Sequence, residues 1–142
     1  MAGKFELKIL SPSRTLLSVK AHSLIVPGSQ GYMTILPNHA AMVAEIGVGE
    51  LVIQATGIAA AERYFVSGGY IDVDHNKILV LADIVEKANE IDLTRAQEAL
   101  KRAQAHLSRI SEETDLERAS QAQKRAEVRV FVAQTLASVA KS

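Results

Sequence analysis

The chain contains no cysteine, which excludes disulfides, thiolate zinc sites and a thiol nucleophile. The absence fits a reducing compartment. Tryptophan is missing too, and only six residues are aromatic, three Phe and three Tyr. That is a poor composition for stacking nucleobases, and no nucleic-acid partner is expected. Charge of one sign is not in excess: 16 Lys and Arg balance 16 Asp and Glu. No global field therefore draws the chain to nucleic acid or to an anionic membrane. No apolar run reaches the roughly 18 residues that a membrane span needs. Contact with a membrane is expected to run through a partner, without direct insertion. No Gly or Pro occurs beyond Ile91, so the last third lacks the residues that break helices.

What is present falls into two regions of different period. The 142 residues suit one medium domain or two small ones. At the N-terminus Phe5, Leu7 and Ile9 alternate with Glu6 and Lys8, as in a half-buried strand and unlike a secretory leader. Further short strands are expected at Leu16–Val19, Ser23–Val26, Tyr32–Leu36, Leu51–Ala55, Tyr64–Val66, Tyr70–Val73 and Ile78–Leu81. Turn residues separate them: Ser11-Pro12-Ser13, Pro27 to Gly31, Pro37-Asn38, Gly47 and Gly49, Gly68-Gly69 and Asp74-His75-Asn76. Strands at such spacing predict an all-β sandwich or barrel. The expected fold is thus α+β in sequence, with a β-sandwich over 1–86 and an antiparallel two-helix hairpin over 87–142.

From Asp92 the period becomes helical. Leu93, Ala96, Leu100, Ala103, Leu107 and Ile110 follow a 3,4,3,4,3 spacing, an a/d seam. Asp92 suits an N-cap. Ser111-Glu112-Glu113-Thr114 breaks the pattern, and Thr114 with Glu117 reads as a capping box for a second helix. That helix continues through Leu116, Ala119, Ala126, Val130 and Ala133, with a broader apolar end at Val128, Phe131, Val132 and Leu136. Its seam is mostly alanine, so each residue buries little area, and the hairpin is expected to be less stable than the β body.

The arginines flank this seam. Arg95 and Arg102 are seven residues apart, on one stripe of the first helix; Arg125 and Arg129 are one turn apart on the second. With a turn centred near 112 or 113, residues whose numbers sum to about 225 lie level, and both stripes border one side of the seam. Closing the hairpin then gathers four guanidinium groups, at an electrostatic cost. A polyanion reverses the sign, because arginine forks match phosphate oxygens and the first helix offers its positive dipole end. An exposed helical arginine ordinarily only keeps a helix soluble. Agreement of the two stripes in side and level is what favours a phosphate-rich ligand, which would stabilise the closed hairpin by linkage.

At these residues the sequence resembles the epsilon subunit of F-type ATP synthases, of bacterial or plastid type, over nearly its whole length. Ile91-Asp92-Leu93-Thr94-Arg95-Ala96 matches the Ile/Leu-Asp-x-x-Arg-Ala motif of ATP-sensing members. Arg102, Arg125 and Arg129 match as well, the last two within Lys124 to Arg129, and Glu86 falls on a nucleotide-site position. The stretches Val66 to Val73, Thr34 to Ala40 and Leu79 to Asp83 are similar to family landmarks. The resemblance implies an ATP site of Glu86, Ile91, Asp92, Arg95, Ala96, Arg102, Arg125 and Arg129, with ATP as a regulatory ligand and no obligatory cofactor. It implies a non-catalytic rotor subunit of the central stalk that couples proton transport to ATP synthesis. The β domain would pack on the gamma subunit and the c-ring. The helices would extend toward the alpha and beta subunits and block hydrolysis. The implied location is peripheral, on the cytoplasmic face of the bacterial inner membrane or the stromal face of the thylakoid. His39, Lys124 and Lys141 are partner-contact candidates. Lys124 to Ser142 holds four basic residues and one acid, a net charge that suits an acidic patch. Two positions depart from the family, which usually has glycine where this chain has Thr34 and Asn38. Asn tolerates the left-handed conformation, and Thr34 reads as continuing a strand.

Other constellations point nowhere chemical. His22, His39, His75 and His106 are never closer than 17 residues in sequence, which argues against a metal site. Gly68-Gly69 reads as a hairpin turn rather than a phosphate loop. Asp72, Asp74 and Ser67 sit in no catalytic pattern. The competing readings are a stand-alone β-sandwich binding module with a helical oligomerisation tail and a small β-barrel enzyme.

Overall fold

The computed structural model describes residues 3–12, 14–109 and 113–140. The chain divides into two compact units, Met1–Lys87 and Ala88–Ser142.

Among the described residues the first unit has seven strands: β1 (Phe5–Ser11), β2 (Arg14–Gly28), β3 (Gly31–Ile35), β4 (Met42–Glu45), β5 (Val48–Ala55), β6 (Glu62–Asp74) and β7 (Lys77–Lys87). β1 buries Phe5, Leu7 and Ile9 and exposes Glu6 and Lys8, so period-2 alternation set its faces. Hydrogen bonding runs β1-β7-β6-β5-β2-β3, β4 adds to β6, and β1 also pairs with β2. The ladder thus closes on itself into a sandwich. β1 and β7 are parallel; every other pair is antiparallel.

Two expected breaks are absent. Leu16–Val19 and Ser23–Val26 belong to one 15-residue strand, β2. It pairs with β1 up to Ala21 and with β5 from Ala21 onward, across a register shift between Ala21 and Ser23. Gly68-Gly69 is not a hairpin turn. Both lie inside β6 at φ 77 and 114. They form an irregularity at which the strand leaves β5, last paired at Ser67, and takes up β4, first paired at Tyr70. Ile46 N–H donates to Gly69 O at 2.8 Å, and Gly68 N–H donates to Gly47 O at 3.2 Å. A Cβ on Gly69 would meet Leu81 O at 1.8 Å, so no other residue fits. β4 itself was not foreseen. Thr34 continues β3 as expected, and Asn38 is left-handed at φ 66. The core comprises Phe5, Leu7, Ile9, Leu24, Ile35, Leu51, Ile53 and Ile71 with their neighbours; each such residue contributes roughly 1.5–3 kcal/mol on burial.

The second unit is a helical hairpin. A 3₁₀ turn at Ala88–Glu90 leads into α1 (Leu93–Leu107), followed by α2 (Glu113–Ala140). Five residues separate the helices, so they run antiparallel. The seam buries Ala96 on α1 and Ala119, Ala126, Val130 and Ala133 on α2, with Leu93, Leu100, Ala103 and Leu107 half-buried. α1 is 15 residues long rather than 19, and Ile110 lies outside the described residues. α2 begins at Glu113, so Thr114 sits within its first turn and is not the cap. Leu116 is 43 % exposed; the seam closes only from Ala119.

Candidate functional site

The start of α1 follows from its cap. Asp92 is extended, and its Oδ1 accepts from the Arg95 N–H at 3.1 Å, satisfying one donor that the first turn leaves over. Ala96 N–H donates to Asp92 O at 2.9 Å, which opens the helical ladder, and Ile91 N–H closes the preceding turn on Ala88 O. The cap directs Arg95 outward and Ala96 into the seam. It also places a carboxylate at the positive end of the helix dipole. The dipole, expected to draw an anion, is already faced by Asp92, so attraction rests on the side chains.

The observed turn changes the arginine register. α1 ends at Leu107 and α2 begins at Glu113, so residues whose numbers sum to about 220 lie level, not about 225. Arg95 is therefore level with Arg125, and Arg129 lies one turn beyond. Arg102 falls level with Arg118, roughly 10 Å along the axis from Arg125. In that register Arg95, Arg125 and Arg129 fall within about one turn of one another along the axis, and Arg102 lies about two turns nearer the connection. Arg125 and Arg129 are half-buried beside the seam, whereas Arg95 and Arg102 are exposed. Among the described residues no ion pair ties Arg95, Arg102 or Arg125 to a carboxylate. Glu86 belongs to the first unit, half-buried on β7 opposite Phe65. Lys124 is exposed on α2; Lys141 lies outside the described residues.

The β unit carries its own surface. Tyr70 pairs with Glu45 on one side and with Leu81 on the other, and Leu81 pairs with Leu10. The row runs across β4, β6, β7 and β1, with Tyr70 57 % and Leu81 46 % exposed. The next row holds Val43, Asp72, Leu79 and Lys8, and Val43 is 71 % exposed. An apolar centre rimmed by Glu45, Asp72 and Lys8 has the make-up of a protein-binding face. Sequence reading missed this face. Its signal was present: Tyr70-Ile71-Asp72-Val73 and Ile78-Leu79-Val80-Leu81 put apolar residues on both sides of their strands.

One charged pair lies within the unit. Arg63 Nη1 donates to Glu50 Oε1 at 2.8 Å, and the Glu50 N–H donates to the Tyr32 hydroxyl at 3.1 Å. Glu50 Oε2 is buried and meets no partner among the described residues. Burial pushes the Glu50 carboxyl above its ordinary range, and the Arg63 guanidinium pulls part of the way back. His39 lies in the loop after β3, its N–H donating to Leu36 O and its Nδ1 bonded to Ala40 O at 2.8 Å. No group of three or more His, Asp or Glu suited to a metal occurs among the described residues.

Family models divide the chain much as its two units do. The model described as ATP synthase, Delta/Epsilon chain, beta-sandwich domain matches residues 4–88. The corresponding long alpha-helix domain matches residues 89–134. The chain belongs to the ATP synthase epsilon-chain family. It is 39% identical over 108 residues to the ATP synthase epsilon chain of Desulfitobacterium hafniense (strain Y51), covering 76% of this chain and 80% of the relative. It is 44% identical over 102 residues to that of Symbiobacterium thermophilum, covering 71% and 72%. Among solved structures it resembles a chain of the Euglena gracilis mitochondrial ATP synthase, with TM-score 0.78 and 21% identity over 87% of this chain and 78% of that one. A chain of the Tetrahymena thermophila mitochondrial central stalk and c-ring gives TM-score 0.71 at 12% identity, covering 93% and 98%. These two likenesses concern the fold. Family membership makes this a stalk subunit rather than a catalytic one, which displaces the module and barrel-enzyme readings. No helix among the described residues is long and apolar enough to cross a membrane.

Proposed function

We propose that this chain couples proton transport to ATP synthesis as a rotor component and restrains hydrolysis through its helices. ATP, as a regulatory ligand, favours the folded hairpin. The observation that carries the reading is the Ile91 to Ala96 stretch, where Asp92 caps α1 and Arg95 projects outward; the helix bounds support a register with Arg95 level with Arg125 and Arg129 one turn beyond. Arg95 and Arg125, level with each other and tied to no carboxylate among the described residues, repel, and a triphosphate relieves the repulsion through charge-assisted bonds that Arg129 can join. Arg102, nearer the connection, meets the far end of the ligand. Ile91, Asp92 and Ala96 complete the proposed site within the second unit, the last two by fixing the turn from which Arg95 projects; Glu86, on β7 of the first unit, enters only as a position that the resemblance implies.

The outward row of Tyr70, Leu81 and Leu10 supports docking on the gamma subunit, and the loop bearing His39 is the proposed contact with the c-ring. Lys124 and Lys141, with the excess positive charge of the last helix, suit an acidic surface of the alpha and beta subunits in the extended state. The proposed location is peripheral, on the cytoplasmic face of the bacterial inner membrane. The test is to add the chain to an F-type synthase depleted of this subunit. Hydrolysis should fall, and pre-incubation with ATP should weaken the inhibition. Hydrolysis indifferent to the added chain would overturn the regulatory part.

A further inference from the structure

The cations of the helical hairpin continue past the proposed nucleotide site. Four arginines stand directly before an alanine of the seam: Arg95 before Ala96, Arg102 before Ala103, Arg118 before Ala119 and Arg125 before Ala126. One residue is about 100° of rotation, so each arginine is turned from the seam by the same angle in the same sense along its own chain. In two antiparallel helices that face one another, such positions lie on one side of the seam. Arg129, one turn after Arg125, and His106, one turn after Arg102, keep to that side. In the register set by the helix bounds, Arg118 is level with Arg102. The flank then runs from Arg129 to His106 over about 22 Å, some four turns. Arg95, Arg102, His106 and Arg118 are exposed. Glu98 and Asp115 border the flank, one turn from Arg102 and Arg118 respectively, and neither forms an ion pair among the described residues.

A triphosphate does not cover this length. Helices tilt their Cβ atoms toward their own N-terminus. Arg102 therefore leans toward the level of Arg95, whereas Arg118, on the antiparallel helix, leans toward the connection. A triphosphate held by Arg95, Arg125 and Arg129 and met by Arg102 occupies about two turns at most, which leaves Arg118 and His106 beyond its end. A longer chain of phosphates matches the whole flank: each arginine fork takes phosphate oxygens, and every contact releases counterions. Nucleobases would find no stacking platform there. Among the described residues α1 has no Phe, Tyr or Trp, and Phe131 of α2 lies about 200° round the helix from Arg129.

We infer that this flank is a track for linear inorganic polyphosphate, with Arg118 and His106 carrying the chain past the nucleotide site. This rests on the arginine site proposed above, whose phosphate-binding end it shares, so polyphosphate and ATP compete.

The test is calorimetric titration of the full chain, at one fixed salt concentration, with a linear inorganic polyphosphate long enough to run the flank and separately with magnesium-free ATP. Polyphosphate should bind at least tenfold more tightly than ATP, and its affinity should fall more steeply as salt is raised. Arg118→Gln should weaken polyphosphate roughly fivefold and leave ATP within about twofold. Lys101→Gln is the control: it removes the same charge directly after the half-buried Leu100, off the flank, and should leave both ligands within about twofold. Equal losses of polyphosphate in the two variants would show attraction to net charge alone and overturn the track. So would polyphosphate no tighter than ATP, equal losses of both ligands in Arg118→Gln, or tighter binding of a single-stranded oligonucleotide of the same charge. Each of these leaves the ATP reading standing. Polyphosphate bound with no binding of ATP would overturn the ATP reading alone, and a chain that binds neither would overturn both.

Discussion

At the scale of single residues, the Glu50–Arg63 pair gives the clearest stability prediction. Arg63 keeps 26% of its side-chain surface exposed and Glu50 only 10%, so the pair is partly desolvated. Arg63→Met strands a buried carboxylate and should cost about 2–3 kcal/mol at neutral pH, somewhat less than for a fully buried pair. The pH dependence has a definite sign. Burial raises the folded-state pKa of Glu50 above its ordinary value of 4.5, so the folded chain holds this proton more tightly than the unfolded one. Its contribution to stability is then greatest below about pH 4.5 and declines as pH rises through the folded value. Glu50→Gln removes that decline. Urea unfolding at pH 4.5 and pH 7 should show the wild type losing stability relative to Glu50→Gln on going to pH 7. A relative gain would contradict the assignment.

Gly69 and Gly68 differ in a way that only the fold reveals. Alanine at 69 collides with the Leu81 carbonyl, a backbone group that cannot yield, while alanine at 68 meets chiefly the Asp83 side chain. Gly69→Ala should cost more than about 3 kcal/mol and Gly68→Ala nearer 1–2, as read by urea midpoints. Equal costs would mean that the irregularity in β6 repacks freely.

At the scale of elements, Asp92 sets where α1 begins. Asp92→Ala should remove about 1 kcal/mol from the helical unit, visible as faster amide exchange in the first turn of α1. It should also weaken ATP binding, because Arg95 loses its fixed point of departure. The strands show how far the sequence could be read. Alternation exposed β1 directly, because Phe5, Leu7 and Ile9 face one core. The continuity of β2 and β6 was hidden: Gly68-Gly69 looks like a turn, and only pairing with β7 and the bonds from Ile46 and to Gly47 keep the strand running. Those contacts are tertiary and have no local signal. The helical seam was legible from its spacing. Its register was not, because the shift of the turn moves Arg102 by about 1.4 turns relative to Arg125. The Asn38 departure was legible as a tolerated left-handed residue; its bond to Asn76 was not, since 38 residues of chain lie between them.

At the scale of the whole molecule, the two units divide the labour. The β unit has a closed ladder and a continuous apolar core and is the rigid platform. The helical unit meets through alanines and half-buried leucines and is the easier to open. Tyr70→Asp should weaken assembly with a depleted synthase by at least tenfold without moving the melting temperature, since Tyr70 is mostly exposed; assembly unaffected by that charge would remove the outer row from the proposed gamma contact. The proposed ligand linkage would act on the other unit: at a hundredfold excess over its dissociation constant a single ligand stabilises its binding form by about 2.7 kcal/mol. That is comparable to the worth of a few alanine contacts, the scale on which the proposed ligand would favour the closed hairpin. The proposed ligand is ATP, and the arginines are its proposed site. Calorimetric titration of the isolated chain with magnesium-free ATP tests it most directly. The account predicts saturable binding, weakened at least tenfold by Arg95→Ala and by Arg125→Ala and less by Arg102→Ala; no binding, or affinity unchanged in the first two variants, would contradict it.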